Sequence, residues 1–264
     1  MRRRSRRSWP RPRPPSEGAT ALSEQLAFKN SKIQELRRLL GRRSSRSEAG
    51  AFVVEGAVLI GEADAAGWTI VAEYVAPGAG PVSNAPWFEL AEGVLERVAS
   101  TERPQPNLAV VAMPQQTVAL DDVSFVVVAD QLTDPGNLGT ILRSAEAAGV
   151  EAVVLTPGSV DPYNPKSVRA SAGALFHVPV VTADLAAVRG AGLRLLGTSS
   201  HLGERHTDAD WTGRLALVLG NEAHGLPDDA PVDGWVRIEH HGRAESLNVA
   251  MAATVLVFEA ARAR

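Results

Sequence analysis

The sequence predicts an α/β protein built on a parallel sheet, with a smaller α/β unit ahead of it. Three observations carry that reading. From residue 123 onward, apolar runs at 124–129, 152–156, 176–181, 193–198, 215–219 and 235–239 read as buried strands. Between them, helical spacing of apolar residues marks 138–148, 166–174, 184–190 and 246–262. Such alternation implies parallel strands joined by crossover helices that cover both faces. Thirdly, polar residues gather in the loops that follow the strands, at the sheet edge where open α/β folds bind ligands.

Taken in order, the elements begin with a basic tail over 1–20. Residues 1–15 hold seven Arg and no acid, so the net charge of −3 leaves the remainder at −10. Its Arg/Ser/Pro composition predicts disorder, and its charge suits the phosphates of a nucleic acid.

Residues 21–114 form the first unit. A basic helix is expected over 31–42, with Ile33, Leu36, Leu39 and Leu40 buried and Lys32, Arg37 and Arg38 outside. Arg42, Arg43 and Arg46 then read as a Ser-rich loop. Strands at 51–54, 69–75 and 108–113 alternate with helices at 55–66, closed by Gly67, and at 92–99. Pro104, Pro106, Pro114 and the polar stretch 115–121 read as a linker.

Composition excludes several classes. At 264 residues there is ample core for two modest domains. Cysteine is absent, which rules out a disulfide framework and Cys-based metal sites. No apolar stretch approaches the roughly 20 residues of a membrane span, and no apolar segment backs the basic start as a secretory signal would. A cytoplasmic protein without membrane partners is expected. No Gly-x-Gly-x-x-Gly follows a strand, which disfavours a dinucleotide site. His201, His206, Asp208 and Asp210 fit no defined metal-ligand spacing, so no metal is expected.

Three segments carry the chemistry. The first is Asp134-Pro135-Gly136-Asn137-Leu138-Gly139-Thr140-Ile141-Leu142-Arg143, where Asn137 is the expected N-cap and Arg143 points away from the apolar stripe of Leu138, Ile141, Leu142 and Ala145. The second, Leu219-Gly220-Asn221-Glu222-Ala223-His224-Gly225, ends a strand in a glycine, where backbone can approach a ligand closely. The third is Glu245-Ser246-Leu247-Asn248. It leads into a helix whose Leu247, Met251, Thr254, Val255 and Phe258 share a face, with Ser246 as the expected N-cap.

In content, order and separation these segments resemble the Asn…Arg, Gly-Asn-Glu…Gly and Ser-Leu-Asn motifs of the SpoU (TrmH-like) family of RNA ribose 2′-O-methyltransferases, part of the SPOUT superfamily. The likeness covers residues 122–264. It implies a trefoil-knotted catalytic domain, S-adenosylmethionine as methyl donor without a metal, and a homodimer acting on structured RNA, ribosomal RNA foremost. By position, residues 21–114 resemble the ribosomal-protein-like substrate domain of many members.

Carried over by motif, Gly220, Ile238 and Leu247 hold the cofactor, with Leu219, Asn221 and Ser246 nearby and Thr198 beyond. Arg143 takes the family's catalytic place, supported by Asn137, Glu222, Ser246 and Asn248. A guanidinium holds its proton tightly, so Arg143 reads as a clamp on the phosphate that orients the 2′-hydroxyl. Deprotonation by a perturbed Arg143 and proton acceptance by Glu222 are the alternatives, although the family implies that Glu222 orients the arginine. Arg243, and Lys166 with Arg169, are candidate RNA contacts. Three other functions compete: a transfer RNA methyltransferase, a non-catalytic RNA-binding protein that keeps the fold, and an unrelated α/β enzyme with a phosphate site at Asn137.

Overall fold

The computed structural model describes residues 25–99, 101–114, 118–243 and 245–264. The expectation of a disordered tail over 1–20 therefore lies outside the described residues. The chain divides into two compact units, Met1–Met113 and Pro114–Arg264.

In the first unit, α1 (Ser31–Gly41) starts where the Asn30 side chain accepts from the Lys32 N–H, and it buries Ile33, Leu36 and Leu39. The expected Ser-rich loop is instead a second helix, α2 (Arg43–Ala49), closed by Gly50 in the left-handed region. Arg46 explains the difference. It is 3 % exposed and donates from Nη1 to the Leu39 carbonyl at 2.7 Å, which satisfies one of the free acceptors that end α1.

Six elements follow: β1 (Ala51–Glu55), α3 (Ala57–Ala65), β2 (Ile70–Val75), β3 (Trp87–Glu89), α4 (Val94–Val98) and β4 (Asn107–Ala112). The sheet runs β1-β4-β2-β3. Its β1–β4 and β2–β4 pairs are antiparallel, and β2–β3 is parallel. Gly56, at φ 101°, turns β1 into α3. Ile33, Leu36 and Leu39 of α1 join Tyr74, Phe88, Leu90 and Leu108 in one core.

The second unit contains β5 (Phe125–Ala129), α5 (Pro135–Ala148), β6 (Ala152–Leu155), α6 (Pro165–Ser171), β7 (Val180–Thr182), α7 (Leu185–Gly190), β8 (Arg194–Ser199), β9 (Glu204–Arg205), β10 (Leu215–Leu219), β11 (Gly234–Arg237) and α8 (Val249–Ala263). Its seven strands lie in the order β7-β6-β5-β10-β8-β11-β9. All six neighbouring pairs are parallel, as the sequence predicts. The strand expected over 176–181 shrinks to β7. A 3₁₀ turn occupies Ala174–Phe176, and Pro179 just before β7 offers the ladder no N–H.

Both faces of the sheet are covered. Val126 and Val128 of β5 pack with Val188 and Ala191 around α7. Val127, between them, points the other way and is also fully buried. There α5 packs against α6 and α8. Gly139 makes the α5–α6 approach possible, because a Cβ on it would lie 2.4 Å from the Ala170 Cβ. Ser144 and Thr254 join α5 to α8 by a hydroxyl–hydroxyl bond of 2.6 Å.

Candidate active site

The carboxyl ends of β8, β10 and β11 open into one cleft of about 500 Å³, within the range of small-molecule sites. All seven residues expected to hold the cofactor line it: Thr198, Leu219, Gly220, Asn221, Ile238, Ser246 and Leu247. Glu222 and Asn248 line it as well. Asn137 and Arg143 do not; they stand on α5, outside the cleft of their own chain.

Two helix starts differ from expectation. The N-cap of α5 is Asp134, not Asn137, and its carboxylate accepts from the Asn137 N–H at 2.9 Å. Pro135 at the first helical position supplies a preset φ and no N–H to satisfy. The N-cap of α8 is Asn248, not Ser246, with Oδ1 accepting from the N–H groups of Ala250 and Met251. The first shift leaves the Asn137 side chain for other partners, and Asn248 caps with Oδ1 while keeping Nδ2 to donate.

Those partners are one another. Asn137 Nδ2 donates to the Glu222 carboxylate at 3.2 Å, and Asn137 Oδ1 accepts from Asn248 Nδ2 at 3.1 Å. One amide thus joins the three motifs in a line. The Glu222 carboxylate also accepts from the Thr133 N–H at 3.0 Å, the Thr133 hydroxyl at 2.9 Å and the Asp134 N–H at 2.8 Å. Partial burial pushes its pKa up, but the N–H groups of Asp134, Glu222 and Thr133 and the Asn137 amide outweigh that and hold it below the ordinary carboxylate range.

Glu222 is therefore ionised at neutral pH and anchored to the start of α5. It is a poor proton acceptor, and among the described residues it has no contact with Arg143. The Arg143 guanidinium is exposed. It has no hydrogen bond or ion pair among the described residues, which leaves its donors available to a ligand.

Gly220 lines the cleft, and its missing side chain also serves a second purpose. A Cβ there would lie 2.2 Å from the Gly225 carbonyl carbon and 2.3 Å from the Leu226 nitrogen. What approaches Gly220 is the return of its own loop, closed by the Gly225 N–H bonding to the Asn221 carbonyl at 2.8 Å. Asn221 Nδ2 then ties this loop to the Gln131 carbonyl at 2.8 Å, and Gln131 sits in the left-handed region at φ 50°.

Two residues that the sequence placed elsewhere, Lys166 among RNA contacts and His201 among the rejected metal ligands, stand beside the motifs. Lys166 donates to Asp134 at 2.7 Å and, with the Asn137 and Gly136 N–H groups, lowers the Asp134 pKa against its slight burial. The Asp134-Pro135 pair was the legible signal for that cap. His201 lines the cleft and pairs with Asp228 at 3.5 Å; nothing in the spacing of those two residues points to it. Among the described residues no group of three or more His, Asp or Glu side chains is placed to hold a metal.

The lining combines an exposed apolar side chain, Leu247, with the hydroxyl and amide groups of Thr198, Ser199 and Asn221, the mixture a nucleoside cofactor needs.

A parallel α/β sheet with a polar cleft at the carboxyl ends of its strands defines the class, and comparison with known proteins gives the family. Residues 124–258 match the SpoU rRNA Methylase family, and residues 30–109 match the MRM3-like substrate binding domain. The chain belongs to the SpoU rRNA methylase family. It is 33 % identical to the 23S rRNA (guanosine(2553)-2′-O)-methyltransferase RlmP of Bacillus subtilis over 87 % of this chain and 96 % of that one. To the 23S rRNA (uridine(2479)-2′-O)-methyltransferase of Streptomyces viridochromogenes it is 32 % identical, covering 93 % and 94 %. The crystal structure of the SpoU methyltransferase AviRb from Streptomyces viridochromogenes with AdoMet superposes with a TM-score of 0.79 at 33 % identity, over 89 % of this chain and 98 % of that one. An AdoMet-bound rRNA methyltransferase from Sinorhizobium meliloti gives a TM-score of 0.80 at 28 % identity, over 90 % and 97 %.

Proposed function

We propose that this protein transfers a methyl group from S-adenosylmethionine to a ribose 2′-hydroxyl of ribosomal RNA, as a homodimer in the cytoplasm. The observation that carries the reading is the Glu222–Asn137–Asn248 line, which gathers all three motifs at the rim of one cleft. A fold kept only for RNA binding has no need of it. Relatives aligned over nearly their whole lengths and named for 23S rRNA favour that substrate over transfer RNA.

Bound S-adenosylmethionine supplies an electrophilic methyl group, and the protein mainly positions the partners. The cleft residues Leu219, Gly220, Asn221, Ile238, Ser246 and Leu247 hold the cofactor, with Thr198 at the far wall. Glu222 keeps the start of α5 fixed, and Asn137 and Asn248 align on it. Arg143 clamps the substrate phosphate and turns the 2′-hydroxyl toward the methyl group.

Two observations support the dimer. Arg143 lies outside its own cleft, and Leu247, Met251, Val255 and Phe258 form a stripe 39–59 % exposed along the α8 side. That stripe is distinct from the buried face of Ala250, Ala253, Leu256, Val257 and Ala260. A second copy covering the stripe brings its Arg143 to the neighbouring cleft.

The path of the chain supports the trefoil knot. Strand β11 is separated from β10 by β8, yet α8, which follows β11, packs on α5 and β10. The chain on either side of residue 244, over 238–243 and 245–248, therefore lies between β11 and α8 at the strand ends, beside the Gly220–Leu226 return.

Mixing inactive chains tests the composite site. Arg143→Ala is expected to abolish transfer of labelled methyl groups to RNA while leaving S-adenosylmethionine affinity within a few-fold. Equal amounts of Arg143→Ala and Gly220→Val chains should regain about one quarter of wild-type activity by random pairing. Heterodimers that form and remain dead would place Arg143 at the cleft of its own chain.

A further inference from the structure

Basic side chains are concentrated at one place in the first unit. Residues 29–46 hold seven cations and a single acid, Glu35. Arg46 is turned inward, but Lys29, Lys32, Arg37, Arg38, Arg42 and Arg43 are exposed. They follow the outer side of α1 and the start of α2, opposite the buried Ile33, Leu36 and Leu39.

Aromatic rings hold part of this face in place. The Arg97 guanidinium lies 3.7 Å from the Phe28 ring centre and that of Arg37 lies 4.9 Å from it, while Lys32 Nζ sits 4.8 Å from the Phe88 ring centre. Phe88 belongs to the core of the unit, and the half-buried Phe28 packs against it. A cation stacked on a fixed ring loses less freedom on binding than one on a free stem.

We propose that this face of α1 and α2, extended by Arg97, grips the phosphate backbone of the RNA substrate. The inference rests on the RNA methyltransferase reading above and deepens it by assigning a surface of the first unit to the substrate's backbone. Phosphate is favoured over an anionic membrane by what the face lacks. The exposed large hydrophobics among the described residues are Val58, Val71, Leu247, Met251, Val255 and Phe258, none of them within 25–46, whereas a membrane-lying helix needs an apolar face to insert.

The test measures the affinity of the full-length chain for a ribosomal RNA fragment across a salt series. Each phosphate contact contributes about −0.9 to the slope of log K against log salt on duplex. If all four side chains touch phosphate, Arg37→Gln, Arg38→Gln, Arg42→Gln and Arg43→Gln combined should flatten the slope by about 3.6. Wild type would then lose about 150-fold more affinity than the variant between 50 and 200 mM salt. Glu35→Lys should do the reverse and steepen the slope, an effect that damage to the fold does not produce.

S-adenosylmethionine affinity is measured alongside on the same samples. Wild type that fails to bind the cofactor overturns the methyltransferase reading. Unchanged salt slopes in both variants, with cofactor binding intact, overturn the surface alone. So does a variant that loses binding to phosphatidylserine vesicles while its RNA slope stays at the wild-type value.

Discussion

Replacing Glu222 by Gln keeps the shape and removes the charge, so it isolates what the carboxylate does. The carboxylate accepts from the Thr133 N–H, the Thr133 hydroxyl, the Asp134 N–H and the Asn137 amide. A Gln side chain has one oxygen for these four donors, and its NH₂ group meets a donor where the second oxygen was. Two lost hydrogen bonds at about 0.5–1.5 kcal/mol each, reduced for an exposed and screened site, give a loss of about 1–2 kcal/mol. In a unit of this size that is a fall of about 2–6 °C in melting temperature. The pH dependence follows from the lowered carboxyl pKa. A group whose folded pKa is depressed stabilises fully above its unfolded value and loses that contribution as pH falls through the folded one. The gap between wild type and Glu222→Gln should stay constant from pH 7 to about 5 and shrink below the ordinary Glu value near 4.5. Thermal melts across that range measure it. Methyl transfer at 25 °C, where both proteins are folded, should drop by at least about tenfold, equivalent to about 1.4 kcal/mol in the barrier. A gap that persists undiminished into acid, or none at pH 7, would show that the charge does not hold the start of α5.

Gly220→Val should destroy S-adenosylmethionine binding by forcing the loop away from Gly225 and Leu226; calorimetry on the folded variant checks this, and an unchanged affinity removes Gly220 from the site. Gly139→Ala places a methyl group 2.4 Å from the Ala170 Cβ and should destabilise by about 1–3 kcal/mol in urea unfolding. Deleting residues 1–15 should weaken RNA binding and flatten its salt slope, read from binding at several salt concentrations; an identical slope would make the tail a bystander.

The parallel sheet was legible because its strands are apolar on both faces. Val126, Val127 and Val128 leave no alternation for a half-exposed strand to show. That the three motifs gather was legible because their polar residues stood at strand or helix boundaries along one edge of a parallel sheet. What escaped depended on contacts made at a distance. Arg46 reads as a surface cation until the Leu39 carbonyl is placed beside it. Gly220 reads only as room for a ligand until its loop is seen to return on it as well. The α8 sequence is apolar nearly all round, so periodicity picked the Leu247, Met251, Val255 and Phe258 stripe, whereas smaller residues, Ala250, Ala253 and Ala260, make the packed face. The caps shifted by two or three residues because Asp134 and Asn248 compete with Asn137 and Ser246 for the same role, and Pro135 decides the first contest.

The Asn137–Asn248 bond joins residues 111 positions apart, and this sets a clock on the enzyme. On a ribosome adding about 5–20 residues per second, Asn248 is made about 6–22 s after Asn137. Glu222, 85 positions after Asn137, is made first, and Asn248 completes the line. The line through Asn137 cannot close until the third motif has been made, so whatever the line does for the enzyme waits on the last of the three segments.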